Sequence, residues 1–290
     1  MSKYRIFTDS SCDLPANVAD ELEVSVICLS LVADGKTYVN YLDGREVGFH
    51  EYYDMLRGGL LATTTAANMD MFNSAFEPVL EAGEDILYLG FSSGLSGTYN
   101  NGRMAAEELA EKYPDRKIYT VDTLAASLGQ GLLVYHAAKL QQSGSSIEEV
   151  RDWVENNKLH LAHLFTVDDL HHLHRGGRVS KTTAIVGSAL GMKPLMHTDN
   201  YGHLTKTGVA RGRKRSLNAL VERMKETIVN PEEQIVFISH GDCLEEAQQL
   251  AEEVKKAVPV KDVLINYIGP VIGTHSGPGT MALFFLATER

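Results

Sequence analysis

Cysteine is scarce. Cys12, Cys28 and Cys243 are the three in 290 residues, and no C-x-x-C spacing joins any of them. That excludes a disulfide framework and a cysteine-built structural zinc site, and it points to a reducing cytoplasm. No apolar run reaches the ~18 residues of a membrane-spanning helix. The opening "MSKYRIFTDSS" lacks the apolar centre of a signal peptide, so export is not expected. Basic charge is also short: a net charge of −11 argues against general nucleic-acid binding, which needs a basic field. Internal repeats and low-complexity linkers are missing too.

What remains is a globular composition, 44% hydrophobic and 22% charged, long enough for one large or two ordinary domains. The first half alternates. "KYRIFTDSS", "DILYLGF" and "KIYTVDT" read as short strands, and helical patterns cover "LPANVADELEV", "FHEYYDMLRGG", "MDMFNSAFEPVLEAG", 97–112, 127–143 and about 146–157. Asp13 is available to cap the first of these helices. "VSVICLSLVADGKTYVNY" reads as a hairpin or strand extension turning at Asp34-Gly35. Strands alternating with helices predict a mostly parallel, Rossmann-like α/β sheet over residues 1–157.

Beyond Asn157 the texture changes. "LHLAHLFTV" reads as a strand, and "MKPLMHTDNYGHLTKTG" as two strands around an Asn200-Tyr201-Gly202 turn. A helix over 213–229, strand "QIVFISHGD", a helix over 244–257, strand "VLINYIG", a glycine-rich loop and strand "MALFFLA" follow. Residues 158–290 are therefore predicted to form a second, α+β domain with a mixed or antiparallel sheet.

"GFSSGLSGTYNNG", Gly90 to Gly102, crowds hydroxyls and glycines between a strand and a helix. Gly90-Phe91-Ser92-Ser93-Gly94 matches G-x-S-x-G, so one reading is a serine esterase of the α/β-hydrolase kind. Ser92 would be its nucleophile, with Asp122 or Asp242 and then His275. No HGGG-like oxyanion loop precedes it. A phosphate on the helix start is a second reading, but the P-loop lysine and spacing are absent. The plainer reading is helix capping by Ser93 and Ser96, with capping the better fit for Ser96. The remaining reading is a carboxylate held by hydroxyl donors.

Other residues carry the same two-sided reading. Asp9 and Ser10 close a strand, where an Asx turn competes with ligand contact. Thr64 lies in three consecutive threonines, any of which would serve as a cap for the helix at Met69–Glu81. Asp122 fits a cap before 127–143. His275 sits among Gly273, Gly277 and Gly279, which imply close backbone approach. His160, His163, His171, His172 and His174 suggest a metal, but 160 and 163 would point to opposite faces of a strand. His171 and His174 would share a helix face without a third ligand, so no metal is expected. Arg211, Arg213, Lys214 and Arg215 read as a solvated helix start or a docking patch.

Six segments occur together and in order: "FTDSSCDLP", "SSGLSGTYNNG", "VDTLAASLGQG", "GGRVSK", "LGMKPLM" and "THSGPG". With them the chain resembles the DegV family, fatty-acid-binding proteins that serve a bacterial fatty acid kinase. The resemblance implies two α/β domains with a long-chain fatty acid, such as palmitate or oleate, buried between them. It implies no cofactor and no catalysis by this chain. A separate ATP-dependent kinase subunit would phosphorylate the presented carboxylate. It places the head group on Thr64 and Ser93, with Thr65 beside Thr64 and His275 nearby, and Ser96, Asp9 and Ser10 supporting the loops. It places kinase docking on Arg211, with Arg178 of "GGRVSK". Ala67 and Asn68 stand where the family pattern has proline and serine, which leaves that loop's shape open. A monomer that touches membranes transiently to exchange lipid completes the expectation. A covalent carbonyl binder using His275, as in some related dihydroxyacetone kinases, is a further and weaker reading.

Overall fold

The computed structural model describes residues 3–168, 170–181 and 191–290. Leu190, the first residue of "LGMKPLM", lies outside them. The alternating first half folds as the pattern predicts. Strands β1 (Tyr4–Asp9), β2 (Ser25–Ile27), β6 (Asp85–Gly90) and β7 (Ile118–Asp122) form a parallel sheet in the order β2-β1-β6-β7. Every residue of β6 is buried, as expected of an inner parallel strand covered on both faces.

The hairpin at Asp34-Gly35 is present, with β3 (Ser30–Ala33) paired to β4 (Lys36–Val39), and both glycine and Asp34 adopt positive φ there. The pattern missed a third partner: β5 (Ala62–Thr65) pairs antiparallel with β3, Thr64 opposite Leu31. The threonine run is therefore a strand and not a cap. β-branched residues suit an extended chain, and three polar ones in a row hide the alternation that marks it.

The second half builds a six-stranded mixed sheet. Its order is β10 (Leu204–Arg211), β9 (Met192–Thr198), β8 (Leu161–Thr166), β13 (Met281–Leu286), β11 (Ile235–His240) and β12 (Asp262–Tyr267). All pairs are antiparallel except β11–β12. The predicted glycine-rich loop instead contains a short helix, Pro270–Ser276, opened by a proline in its first turn and ended by Gly277 at φ +81°. Among the described residues no helix is long and apolar enough to cross a membrane.

Helix α5 (Leu128–Gln142) holds the halves together. It is apolar on nearly every side and touches β6 of one sheet and β8, β11 and β13 of the other. Its glycines permit the approach. A Cβ on Gly131 would sit 2.7 Å from the Cys12 carbonyl oxygen, and one on Gly129 would sit 2.9 Å from the Phe284 ring. Asp13 does not cap the first helix. It is buried with φ +52°, accepts from Ser127 Oγ at 2.6 Å and from the Gly269 amide at 3.0 Å, and so ties three loops together.

Asn68 closes the question left by the Ala67-Asn68 pair. Its Oδ1 accepts the Met71 amide at 3.0 Å at the start of helix α3 (Met69–Glu81), the role serine plays at such a position. Asn68→Ala should therefore lower unfolding free energy by about 1 kcal/mol, while Asn68→Ser should be nearly neutral. Equal losses in urea denaturation would remove the cap from this account.

Candidate functional site

The two halves enclose a cavity of about 920 Å³ of atom-free space, its mouth included. Most of the wall is apolar. Leu29, Phe91, Leu95 and Ala126 come from the first half, and Phe165, Leu173, Leu204, Val271, Ile272 and Ala282 from the second. Asp9 and Ser10 are fully buried behind this wall. Asp9 accepts the Phe91 amide at 2.9 Å and the Tyr88 hydroxyl at 3.0 Å, and Ser10 Oγ accepts the Leu29 amide at 2.9 Å. Both thus fix lining residues.

Polar groups gather where the cavity meets an outer depression: Thr64, Arg178 and His275 line both spaces. Thr64 Oγ1 and His275 Nε2 are 2.8 Å apart, across 211 residues of chain. Gly176 makes room for that ring, because a Cβ there would lie 2.1 Å from His275 Nδ1. Among the described residues His275 Nδ1 and the neighbouring Ser276 Oγ are buried without a protein partner, and both residues line the cavity. Burial, then the Arg178 charge, pushes His275 down to about 4, so its imidazole is neutral near pH 7.

The hydroxyl loop differs in one respect from its reading in sequence. Ser96 lines the cavity, while Ser93 is exposed on the loop with its amide donating to Asp122 at 3.2 Å. Ser96 also performs the expected local task, accepting the Thr98 amide at 3.2 Å. A turn at Ser92–Ser96, closed by the Leu95 and Ser96 amides on the Ser92 carbonyl, separates the two serines. Thr65 is likewise turned outward: alternation along β5 leaves Thr63 and Thr65 exposed and Thr64 inward.

Arg178, expected with Arg211 in docking, is half-buried where the cavity meets the outer depression, its Nε donating to the Leu95 carbonyl at 3.2 Å and its Nη1 to Gly176. No carboxylate pairs with it among the described residues. Burial lowers its pKa, yet a guanidinium remains charged near pH 7. The site therefore contains a cation, which hydroxyl patterning alone did not anticipate. Arg211 ends β10 as an exposed residue beside exposed Lys214 and Arg215, whereas Arg213 is paired to Glu246 at 2.9 Å.

The hydrolase constellation does not assemble. Ser92 Oγ is buried and donates to the Gly202 carbonyl at 2.8 Å, His275 is bonded to Thr64, and Asp242 is held by His50 and Arg57. Gly202, at φ +79°, has no room for a Cβ, which would lie 2.1 Å from Ser92 Oγ. Among the described residues, the group close enough to share a metal ion is His50, Asp54 and Asp242, not the 160–174 histidines. Arg57 already pairs with both of its carboxylates, 2.8 Å from Asp54 and 2.5 Å from Asp242.

Comparison with known proteins agrees with this architecture. Residues 3–288 match the family described as "Uncharacterised protein, DegV family". A DegV domain-containing protein of Clostridium perfringens is 49% identical over 290 residues, covering 100% of this chain and 99% of that one. The chain belongs to the DegV family. Its fold is that of solved DegV proteins. One from Thermotoga maritima, a lipid-binding protein, superposes with a TM-score of 0.87 at 29% identity, covering 99% of each chain. One from Thermus thermophilus, a fatty-acid-binding protein, superposes at 0.85 with 29% identity, covering 98% and 99%. A stearic-acid-binding protein from Eubacterium ventriosum gives 0.87 at 25% identity, covering 98% of each. DegV-family proteins of known structure thus bind fatty acids.

Buried histidines give this DegV protein a directional pH dependence. Burial pushes His136, His240 and His275 down to about 4, and His163 well below its ordinary 6.5. Between pH 4 and 6.5 the unfolded chain therefore binds more protons than the folded one at these four sites. Their stabilisation is present above pH 6.5 and is lost as pH falls. Asp13, pushed up to about 7 by burial, and Asp9, also raised by burial, act in the opposite sense. His197, lowered by burial in the same sense, adds a fifth imidazole against the two carboxyls, and the urea midpoint should fall between pH 6.5 and 4. A midpoint that holds or rises over that window would contradict the neutral-histidine assignment.

Proposed function

We propose that this chain binds a long-chain fatty acid in the cavity and presents its carboxylate to a separate ATP-dependent kinase. The observation that carries the reading is Arg178, a half-buried guanidinium without a carboxylate partner among the described residues, at the mouth of an apolar cavity. An anion with an apolar tail satisfies both features. The related DegV structures that hold fatty acids support the same ligand class. The two halves, 1–157 and 158–290, act as the two walls of the site.

In this reading the carboxylate accepts from Thr64 Oγ1 and Ser96 Oγ, while Arg178 supplies the opposite charge. His275, neutral, donates through Nε2 to Thr64 Oγ1, which frees the threonine hydrogen for the ligand. The depression outside Thr64 and His275 lets a phosphoryl donor approach. A carboxylate oxygen attacks the terminal phosphorus of ATP, the new O–P bond replaces the bond to ADP, and an acyl phosphate results. This chain's part is to bury the tail, orient the head and exclude water. Exposed Arg211, Lys214 and Arg215 dock an acidic face of the kinase, and such rim charges act mainly on association rate and salt dependence. The protein works in the cytoplasm as a monomer that meets membranes transiently to exchange its lipid.

Burying an acyl chain at about 0.8 kcal/mol per methylene yields on the order of 10 kcal/mol gross, part of it offset by ordering. Fatty acid should therefore survive purification and appear at near one equivalent in denaturing extracts read by mass spectrometry. Extracts empty of fatty acid from freshly purified protein would overturn the reading.

Ser96→Ala and Thr64→Val should each remove a donor to a charged group, about 1.5–3 kcal/mol, or roughly 10–100-fold in acyl phosphate formation. Ser93→Ala and Thr65→Ala should change it little. The reverse ranking would move the head group to the exposed hydroxyls. Arg211→Ala should slow turnover at limiting protein and leave fatty-acid affinity intact. Equal turnover would remove the patch from docking.

A further inference from the structure

His163 is 4% exposed, yet it lines the internal cavity and not the outer depression. It lies on β8 opposite Phe284, two residues before Phe165, with its ring 4.7 Å from the Phe284 ring and 5.9 Å from that of Phe165. These rings hold the imidazole in place. Its Nδ1 is 2.7 Å from Thr198 Oγ1, and its Nε2 has no protein partner among the described residues. Burial keeps the ring neutral, so one nitrogen donates and the other accepts. Thr198 can serve either tautomer, which leaves Nε2 as a single donor or a single acceptor on a ring packed against Phe284 and Phe165. Of the other polar groups that line the cavity and not the depression, Ser127 and Ser239 are 3.0 Å apart and bonded to each other, with Ser127 also on Asp13; Thr280 donates to the Ser276 carbonyl, Ser96 bonds to Thr98, and Ser276 directly follows His275 in the chain.

Resting on the fatty-acid reading above, we propose that the cavity is built for acyl chains bearing an oxygen part-way along the tail, and that His163 recognises it. A hydroxyl both donates and accepts, so it satisfies Nε2 in either tautomer. An oxo group satisfies the Nε2–H tautomer. A plain methylene leaves a buried ring nitrogen unmatched, and sites built to bond a substrate hydroxyl discriminate against analogues that lack it. Thr64, Arg178 and His275 line the mouth whereas His163 lines the interior alone, so the oxygen belongs on the tail and away from the carboxylate.

The test uses the full chain stripped of lipid and a series of hydroxystearates that differ in which carbon carries the hydroxyl. All have one composition, so solubility and gross burial are matched across the series. Displacement of bound radiolabelled stearate should show one narrow set of positions binding about tenfold more tightly than the others. His163→Phe should flatten that profile while stearate still binds, and His163→Gln, which keeps a donor and an acceptor, should retain a peak. Thr198→Val, which frees the ring without adding bulk, should weaken the peak even if His163→Phe does not fold. A wild-type profile flat to within about threefold, or a peak that survives both His163→Phe and Thr198→Val, would overturn the proposal. Failure of wild-type protein to bind stearate at all would overturn the fatty-acid reading instead.

Discussion

The site depends on how closely helix α5 is packed between the two sheets. Gly129 and Gly131 let its backbone approach Phe284 on one side and the Cys12 carbonyl on the other, with no gap for a methyl group. The helix start is pinned as tightly: Ser127 bonds to the buried Asp13, whose other oxygen takes the Gly269 amide before the helix that carries His275. One buried carboxyl thus connects the first loop, the start of α5 and the His275 helix. Removing a partner from such a group leaves a buried polar atom unmatched, which costs more than the bond itself contributes. The cavity lies beside the start of α5, where Ala126 and Ser127 line it, and the loops around it are held by Asp9 and Asp13.

Charge and polarity are then distributed in a graded way. At the mouth stand one guanidinium and two inward hydroxyls, with a neutral histidine bonded to one of them. Arg178 is anchored through carbonyl groups and so keeps its full charge for a ligand. His275 stays neutral because burial and the adjacent Arg178 both oppose a second positive charge. Deeper in, the wall is mostly apolar, with His163, the Ser127–Ser239 pair, Ser276 and Thr280 as its polar members. A molecule with one anionic end and a long apolar body matches this arrangement, and neither a nucleotide nor a compact polar substrate does.

Periodicity exposed the secondary structure wherever apolar residues alternate with polar ones, and the parallel first half followed from strands and helices taking turns. It failed at "ATTTA", where three threonines gave no contrast between faces, and at "GPVIGTHSG", where glycines concealed one helical turn pair. Thr64 and His275 were legible as candidates from their motifs. Ser96 was legible as a capping hydroxyl, and it caps; that the same oxygen also faces the cavity follows from the turn at Ser92–Ser96, which three serines in five residues do not reveal. Arg178 was read only as a docking residue, and its seat in the wall follows from its bonds to the Leu95 and Gly176 carbonyls.

The sequence by itself determined the fold class and membership among DegV-like chains, because these rest on local periodicity and on ordered motifs spread along 290 residues. It also determined which turns need glycine. Tertiary structure alone decided which face of β5 looks inward, which serine meets the cavity, and that a cation sits beside the hydroxyls. Those choices are made by contacts between residues 64 and 275, 95 and 178, and 92 and 202, pairs 83 to 211 positions apart. Local propensity carries no term for such distances. They are settled when the two sheets close on α5, and the side chains that reach the cavity are those whose strand register and turn geometry already point there.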